Sequence, residues 1–394
     1  MSYYVLPKIN SQNLINILDE SQNIMKPYIS QSLSYYIDTI KNQIENIIMN
    51  SDDLSCNSCN EFSKIINPCE YIFSKVPGSK YSVSKLKPIS NLFYDILEVS
   101  NVLSIFDIYE NVSINSLHIS DSVSDTIECF EILRENYEDQ ITSFNSFTDE
   151  TICEINKLTE RFNFLVFESS FDNLNSYFIF LARCLMTVFK CQAKNGTCIV
   201  KIDNTLYKPI IDFIYIMSSL YDKVYIIKPN SSNITTSEKY LICKNYQSSL
   251  CKNDLSEINY YTLRLFNSSI NRNINTIKSF LNFDIPQYFL SKLDDINIIT
   301  GHQQVESLNI VLNLLKNKNR EDRSEVFRKT NIVKSISWCE KYKIPYNKFS
   351  EKVNIFLPLA NKDDNENKNE EENNENDEND ENDENNEIVL IYEE

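Results

Sequence analysis

Glycine is almost missing from this chain, which holds only Gly78, Gly196 and Gly301 among its 394 residues. Loops that bind a cofactor through their backbone use closely spaced glycines, because a Cβ atom obstructs both the tight turn and the close approach to the ligand. The three glycines stand far apart in the sequence. We therefore expect no glycine-rich cofactor loop.

Histidine is equally scarce, and His118 and His302 fall into no recognisable catalytic triad or metal-binding pattern. Both are expected to be structural. The eleven cysteines are scattered, and their tightest group, Cys56, Cys59 and Cys69, lacks the fourth ligand that a zinc site needs. We expect reduced thiols and no metal site.

Basic residues are outnumbered, since 56 acidic residues face 38 lysines and arginines and the net charge is −18. The excess lies near the C-terminus: residues 362–394 hold 16 acids and 2 lysines, whereas residues 1–361 hold 40 acids and 36 bases. A nearly neutral body argues against strong, unspecific binding of nucleic acid, which normally requires a basic face. Local basic clusters at Lys75–Lys87 and Lys316–Arg323 could contact RNA, although solvated helix ends and loops are the simpler interpretation.

Long apolar runs are absent as well. None approaches the ~20 residues that a membrane-spanning helix needs, and the residues Met1–Pro7 lack a secretory pattern. We expect a soluble intracellular protein without membrane contact.

The clearest pattern in the chain lies between Asn195 and Tyr246. After a turn at Asn195 and Gly196, apolar runs alternate with a helix-length spacer and a polar loop. The predicted elements are a strand over Thr197–Val200, a helix over Tyr207–Leu220 and strands over Val224–Ile227 and Tyr240–Cys243. This order is typical of the closing half of an open α/β sheet, in which ligands bind beyond the carboxyl ends of the strands. Lys201, which follows the first strand, is therefore expected at the ligand edge.

Three segments carry a resemblance to a known family: Gly-Thr-Cys-Ile-Val-Lys-Ile-Asp at 196–203, Lys-Pro-Asn-Ser-Ser at 228–232, and Ser-Glu-Lys-Tyr-Leu-Ile-Cys-Lys-Asn at 237–245. They resemble FtsJ/RrmJ-type S-adenosylmethionine-dependent RNA ribose 2'-O-methyltransferases, most of all the divergent branch of large DNA viruses of the mimivirus-like and African swine fever-like groups. The resemblance implies an α/β fold with a Rossmann-like methyltransferase sheet, mostly parallel with an antiparallel last strand. It also implies helical additions at both ends and S-adenosyl-L-methionine as the cofactor if the protein is active.

The family uses a Lys-Asp-Lys-Glu tetrad, and the resemblance places its last two members at Lys201 and Glu238. The helical segment 90–99 resembles the one that supplies the first lysine, but Asp95 stands there with the opposite charge. Lys85 or Lys87 would substitute if the helix had another register. The strand 162–167 resembles the one that ends in the catalytic aspartate, and here Glu168 follows it.

The same comparison places the family's first strand and cofactor loop at residues 104–111, which makes Asp107, Glu110 and Asn111 weak candidates for cofactor binding. No glycine follows them. In an intact site the central lysine would help to remove the proton of a ribose 2'-hydroxyl. Three carboxyl groups around Lys201 would instead favour its charged form and weaken it as a base.

Two functional readings follow from the resemblance. In the first, the catalytic site is degenerate and the protein is an accessory or scaffold subunit for a capping or polyadenylation partner. In the second, it is an active methyltransferase of mRNA caps or other viral RNA. A structural virion protein is a third class. The viral resemblance implies a location in the host cytoplasm, at the viral factory, and packaging in the virion is an alternative.

The chain divides into five expected segments. Residues 1–69 form an N-terminal segment with two helices broken at Pro27 and a polar loop at 51–69, residues 70–250 the FtsJ-like domain, and residues 251–360 a helical extension. Residues 361–387 are an Asn/Asp/Glu linker expected to be disordered, because it has no apolar surface to bury. The segment 388–394 is apolar between acids; it is an inert or back-docking tail, or a motif that binds a protein partner by strand addition.

Overall fold

A seven-stranded sheet organises the part of the chain that the computed structural model describes, which is residues 3–9, 18–21, 26–50, 56–171, 173–247, 276–317 and 321–347. Its strands in chain order are β1 Tyr3–Val5, β3 Asn115–Ile119, β4 Gln140–Phe144, β5 Phe162–Phe167, β6 Gln192–Ile202, β7 Tyr221–Ile227 and β8 Lys239–Tyr246. A separate pair, β2 Leu18–Ser21 and β9 Thr276–Ser279, forms a two-stranded sheet.

Strand direction in the large sheet agrees with the predicted class. The spatial order is β1-β7-β8-β6-β5-β3-β4, and β4, β3, β5 and β6 pair in parallel. Strand β8 lies between β6 and β7 and is antiparallel to both, and β1 adds an antiparallel edge next to β7. The mixed α/β class, the mostly parallel sheet and the antiparallel last strand are therefore confirmed.

Helices complete the fold. Their bounds are α1 Gln31–Met49, α2 Cys56–Ile66, α3 Leu92–Val102, α4 Val123–Leu133, α5 Asp149–Lys157, α6 Leu174–Cys191, α7 Lys208–Leu220, α8 Gln287–Lys316 and α9 Glu321–Lys341, with short 3-10 turns at Glu70–Ile72 and Asp107–Tyr109.

The main core lies between the sheet and the helices α6 and α7. Alternate residues of the central strands, such as Leu165 and Phe167, are buried against these helices. Their neighbours Phe164 and His118 face the other side, where both rings lie close to the ring of Phe130 in α4. Because β5 and β6 are covered on both faces, their sequences read as continuous apolar runs. This is why the sequence located them.

Helix α6 is long and apolar enough to cross a membrane by length and composition, but 67% of it is buried inside the fold. Core helices of soluble proteins pass the same test, because a helix that is apolar on most sides needs only to be buried. Burial against the sheet therefore accounts for its composition.

Gly196 lies within β6, where the sequence predicted a turn. A Cβ atom there would come within 2.8 Å of the backbone oxygen of Asn163 in β5, and the register of the two strands shifts between Phe162 and Phe164. Asn195 beside it has a positive φ of 62°. The expected turn is therefore an irregularity inside a continuous strand, and glycine is needed because the two backbones approach closely.

The N-terminal prediction needs two corrections. Residues 18–21 were expected to be helical and instead form β2, whose partner β9 is more than 250 positions away, so no local pattern marks it. The segment 51–69 was expected to be a loop, yet Cys56–Ile66 is helix α2. Polar residues at its start hid its apolar stripe. The side chains of Cys56 and Cys59 lie outside the described residues.

The predicted helical additions are present on both sides of the sheet domain. Helices α1 and α8 pack together, with Ile37, Ile40 and Ile44 buried against Val311 and Leu315. The acidic linker at 361–387 and the motif at 388–394 lie outside the described residues, and the division into five segments stays a prediction.

Candidate functional site

Three side chains converge at the carboxyl edge of the sheet. The Nζ atom of Lys201 lies 3.0 Å from Oε1 of Glu238 and 3.6 Å from Oε1 of Glu168. Lys201 is mostly buried, Glu168 is nearly buried and Glu238 is about one-third exposed. Lys201 and Glu238, which the resemblance matched, and Glu168, at the position of the family's aspartate, thus form one ion-paired cluster.

The topology explains this convergence. Glu168 follows β5 directly, and Lys201 is the next-to-last residue of the parallel neighbour β6, so both lie at the same edge. Strand β8 runs in the opposite direction, with Lys239 opposite Ile202. Glu238, one residue before β8 begins, is therefore also at this edge.

Opposing effects set the charge of Lys201. Burial lowers its pKa, but the carboxylates of Glu238 and Glu168 outweigh burial, and the pKa is raised above its ordinary value. Lys201 is therefore a stable ammonium at neutral pH. An ammonium cannot accept a proton, which makes this lysine poorly suited to act as a general base.

Asp95 of α3 lies behind the cluster and is buried. Its carboxyl group accepts hydrogen bonds from the hydroxyls of Ser231, at 2.5 Å, and Tyr240, at 3.0 Å. Burial raises the pKa of Asp95 to about 7, although Ser231, Lys201 and Tyr240 act in the opposite direction. Lys85 and Lys87, the alternative candidates, are both exposed on the segment before α3. Asp95 thus occupies the position beside Lys201 without supplying a second positive charge.

Glu98, one helical turn beyond Asp95, was missed by sequence reasoning. It is fully buried, and its carboxylate accepts hydrogen bonds from the side chain of Asn230 at 3.0 Å, the backbone N–H of Ser231 at 3.1 Å and the indole N–H of Trp338 at 3.0 Å. The signal was present: Asp95 and Glu98 interrupt an otherwise apolar helix at a spacing that places both on one face. Trp338 belongs to α9, so this carboxylate anchors the C-terminal addition to α3.

Asp107, Glu110 and Asn111 are not brought to the edge that carries Lys201, and their role in cofactor binding stays a prediction. Residues 107–109 form a 3-10 turn before β3, not a loop after a strand. The hydroxyl of Tyr109 donates to the backbone oxygen of Asn163, near the start of β5. The segment therefore lies at the amino edge. The family's first strand was expected here because Ile105–Ile108 resembles a strand, whereas the true first parallel strand, β3, carries polar Ser116 and His118.

The turn after β3 takes the place of the expected cofactor loop, and it consists of Ser120, Asp121 and Ser122. Side chains connect it to the turn after β5. The hydroxyl of Ser120 donates to Glu168 at 2.6 Å, and Asp121 accepts from the hydroxyl of Ser169 at 3.0 Å and the backbone N–H of Ser170 at 2.7 Å. None of the turn residues is glycine, so a Cβ projects from each.

The turn after β3 differs from a glycine-rich cofactor loop. Binding at a βα turn requires close approach of the backbone to the ligand and free donors at the turn. Here Asp121 adds a negative charge and spans to Ser169 and Ser170 across the carboxyl ends of β3 and β5. These hydrogen bonds connect the turn after β3 to the turn after β5, at the edge of the sheet where the resemblance expects the cofactor.

An open cavity of about 360 Å³ adjoins the cluster on the side of β6. Phe171 and Tyr177 provide apolar walls, and Lys201, Asp203 and Glu238 provide charged groups. This volume falls within the range of small-molecule sites. Among the residues that the structure describes, no group of three or more His, Cys, Asp and Glu side chains is arranged to hold a metal ion.

Part of the sheet domain is similar to a known protein family. Residues 118–246 match the model of the FtsJ-like methyltransferase family. Over these residues the chain is similar to FtsJ-like methyltransferases. The match runs from β3 to the last residue of β8 and includes Glu168, Lys201 and Glu238, while Asp95 precedes it. The sheet has the topology of a Rossmann-like methyltransferase fold.

Solved structures show weaker similarity. A ribosomal RNA methyltransferase of Plasmodium falciparum is 16% identical, with a TM-score of 0.30, over 40% of this chain and 97% of that one. Human methyltransferase-like protein 13 in complex with SAH is 10% identical, with a TM-score of 0.27, over 44% of this chain and 93% of that one. A hemolysin of Streptococcus thermophilus is 11% identical, with a TM-score of 0.27, over 48% of this chain and 78% of that one. No curated protein matches the sequence. The FtsJ-like assignment rests on the family match.

Proposed function

We propose that this FtsJ-like chain is a viral RNA-processing subunit in which the methyltransferase site has become a structural and binding element. The observation that carries the proposal is the charge of the site. One ammonium, Lys201, faces the three carboxyl groups of Glu168, Glu238 and Asp95, where the family has two lysines. A lysine held in its charged form does not take up the proton of a ribose hydroxyl.

The packing around α3 supports the accessory role. Glu98 accepts hydrogen bonds from the Ser231 loop and from Trp338 of α9. The helix that supplies a catalytic group in the family therefore fixes the C-terminal addition here. Such an addition enlarges the surface available to a capping or polyadenylation partner. The proposed location is the host cytoplasm, at the viral factory, with packaging in the virion as an alternative.

An active S-adenosylmethionine-dependent RNA 2'-O-methyltransferase is the second candidate. The convergence of Lys201, Glu168 and Glu238 favours it, because these side chains face a cavity of about 360 Å³. In that case Lys201 would be the central group at the ribose hydroxyl. A bound cofactor would require the hydrogen bonds between Asp121 and Ser169 and Ser170 to open.

Cofactor binding and methyl transfer distinguish the two candidates. We expect isothermal titration calorimetry to show no binding of S-adenosylmethionine to the full chain at millimolar concentration. We also expect no transfer of labelled methyl groups to capped or uncapped RNA. The physical reasons are the hydrogen bonds between the turns after β3 and β5 and the permanent charge of Lys201. Stoichiometric cofactor binding with methyl transfer would contradict the proposed function.

A pair of variants tests any activity that does appear. Lys201→Met removes the central ammonium, and Lys244→Met removes a partly buried lysine at the other end of β8, where its Nζ atom donates to Leu103 and Ser104. If methyl transfer is lost in Lys201→Met but kept in Lys244→Met, the protein is an active methyltransferase. If neither cofactor nor RNA binds, co-purification from infected cells separates an RNA-processing subunit from a structural virion protein, which would accompany capsid components.

A further inference from the structure

A second cavity, of about 70 Å³, lies between the sheet domain and the added helices. Helix α1 borders it with Asp38 and Lys41, and α8 borders it with Asn297 and Gln304. The floor comes from Lys228, after β7, and Lys239, the first residue of β8. Lys41 and Asp38 are exposed, so the cavity opens to solvent past α1. This cavity was not suggested by any sequence motif.

The lining of the cavity is positively charged. It contains three lysines, Lys41, Lys228 and Lys239, against one carboxylate, Asp38. Lys239 is buried, with 5% of its surface exposed, and its Nζ atom donates one hydrogen bond, of 3.4 Å, to the hydroxyl of Thr205. Lys228 donates to the backbone oxygens of Thr236 and Glu238. In the part of the chain that the structure describes, neither amine forms an ion pair.

Among the described residues, neither of these two neighbouring amines has a carboxylate within ion-pair distance. An ammonium group has three donors, and burying it without a paired anion is unfavourable. Burial is also the main reason that the pKa values of Lys228 and Lys239 are each lowered to about 8. Repulsion from Lys201 lowers the pKa of Lys228 and repulsion from Lys228 lowers that of Lys239, while nearby carboxylates, Asp203 among them, act in the opposite direction. At neutral pH both groups are still mostly charged. The pair is therefore electrostatically incomplete.

We propose that this cavity binds a phosphate-sized oxyanion between the amines of Lys228 and Lys239, with Lys41 at its entrance. The volume decides the size of the ligand. A cavity of about 70 Å³ has room for a group of the size of one tetrahedral oxyanion. The excess of lysines in the lining favours an anion over a cation. The site is separate from the Lys201 cluster and requires neither cofactor nor catalysis.

Two sources can supply such a group. One is a phosphate of RNA, either internal or at a 5' end, which would reach the cavity from the solvent side of α1. The other is free inorganic phosphate. Both present the same tetrahedral oxygens, so the chemistry of recognition is shared. Asn204 lines this cavity and also the cavity beside Lys201, so an RNA phosphate bound here would bring the neighbouring nucleotides towards that edge.

Thermal unfolding and calorimetry of the full chain with inorganic phosphate test the site. We expect phosphate to raise the Tm more than chloride does at equal ionic strength, because a ligand that binds only the folded state stabilises it. Lys239→Met is expected to weaken phosphate binding at least tenfold, whereas Lys244→Met, the same charge change on the same strand, leaves it unchanged. Circular dichroism checks that both variants are folded. Equal effects of phosphate and chloride, or equal losses in the two variants, would overturn the proposal.

A milder variant covers the case in which Lys239→Met does not fold. Lys41 is exposed, so Lys41→Ala leaves the core intact and should weaken phosphate binding several-fold through the entrance. Unchanged binding in this variant and in Lys228→Met would likewise overturn the site. Competition by short RNAs then identifies the source: displacement of phosphate by any RNA indicates an internal phosphate, displacement only by 5'-phosphorylated RNA indicates the terminal group, and no displacement indicates a site for the free ion.

Sulfate provides an independent readout, because its charge is constant between pH 7 and 9. Binding of sulfate should fall as pH rises through about 8, where Lys228 and Lys239 lose their protons. The other charged groups facing the cavity are Asp38 and Lys41 from α1, with Asp203 and Glu238 close to the two amines, and α8 contributes only uncharged side chains. Sulfate binding that stays constant over this range would contradict the assignment of the two amines as its ligands.

Discussion

Replacing Asp95 with asparagine is expected to raise the free energy of unfolding by roughly 4 kcal/mol at pH 8 and by less than about 2 kcal/mol at pH 5. Burial raises the pKa of Asp95 to about 7 in the folded protein, from 3.8 for an ordinary aspartate. Between these values the folded state keeps a proton that the unfolded state has lost, so stability falls as pH rises. Each unit of difference between the folded and unfolded pKa values corresponds to about 1.4 kcal/mol of stability, which gives the expected size of the effect.

The hydrogen bonds around Asp95 suit a neutral group. Ser231 and Tyr240 contact its two oxygens, and an asparagine amide supplies one acceptor and one donor in the same place. Asparagine does not titrate, so the decline of stability between pH 4 and pH 7 that Asp95 causes should disappear.

Urea unfolding at pH 5 and pH 8 measures the difference. Asp222→Asn, which alters an exposed aspartate paired with Lys8, is the matched control and should change stability by less than about 1 kcal/mol at either pH. A loss of stability in Asp95→Asn at pH 8 would show that the buried carboxylate is stabilised in its charged form, contrary to the expected direction.

Replacing Lys239 with methionine should stabilise the protein by about 2–3 kcal/mol at pH 7 in a buffer without phosphate or sulfate. The folded pKa of this lysine is lowered to about 8, from 10.5. Its ammonium is therefore disfavoured in the folded state over the whole range below pH 8, and stability recovers as pH rises from about 8 to 10.5. Methionine has a similar length and carries no charge. Thr205 keeps a partner in the side chain of Asn297.

Chemical denaturation with and without phosphate checks this result. Lys244→Met, on the same strand, should increase the free energy of unfolding much less, because Lys244 is less buried. Added phosphate should reduce the difference between Lys239→Met and the parent protein, since a bound anion would supply the counter-charge of the lysine. Destabilisation by Lys239→Met in anion-free buffer would show that the amine is well solvated or paired.

The elements that sequence reasoning located share one property, which is that their apolar residues are consecutive. Strands β5 to β8 and helix α7 are buried on most sides, so composition alone marks them. Glu168 follows β5, Lys201 lies at the end of β6 and Glu238 precedes β8, so these residues could be placed with the strands. Strand β3 was not predicted, because the buried residues Ser116 and His118 within it are polar. Strand β2 was not predicted, because its partner strand β9 is distant in the sequence.

Charged residues at strand ends mark the limit of such reasoning. Lys228 and Lys239 read as solvated ends of β7 and β8, which is the usual state of lysine. Their burial results from α1 and α8, which come from opposite ends of the chain and meet where Gly301 faces Leu33. A Cβ atom at Gly301 would lie 2.3 Å from the Leu33 side chain, so this contact depends on glycine. No pattern within either lysine's own segment could have indicated it.

The one tryptophan of the chain is the residue that joins α9 to α3. Its indole is buried next to the ring of Tyr94 and hydrogen-bonded to Glu98. Fluorescence excited at wavelengths that only tryptophan absorbs therefore reports from a single position. Detachment of the last helix would expose that ring to water and shift its emission to longer wavelengths, so spectroscopy of the unlabelled protein can follow this joint without any engineered probe.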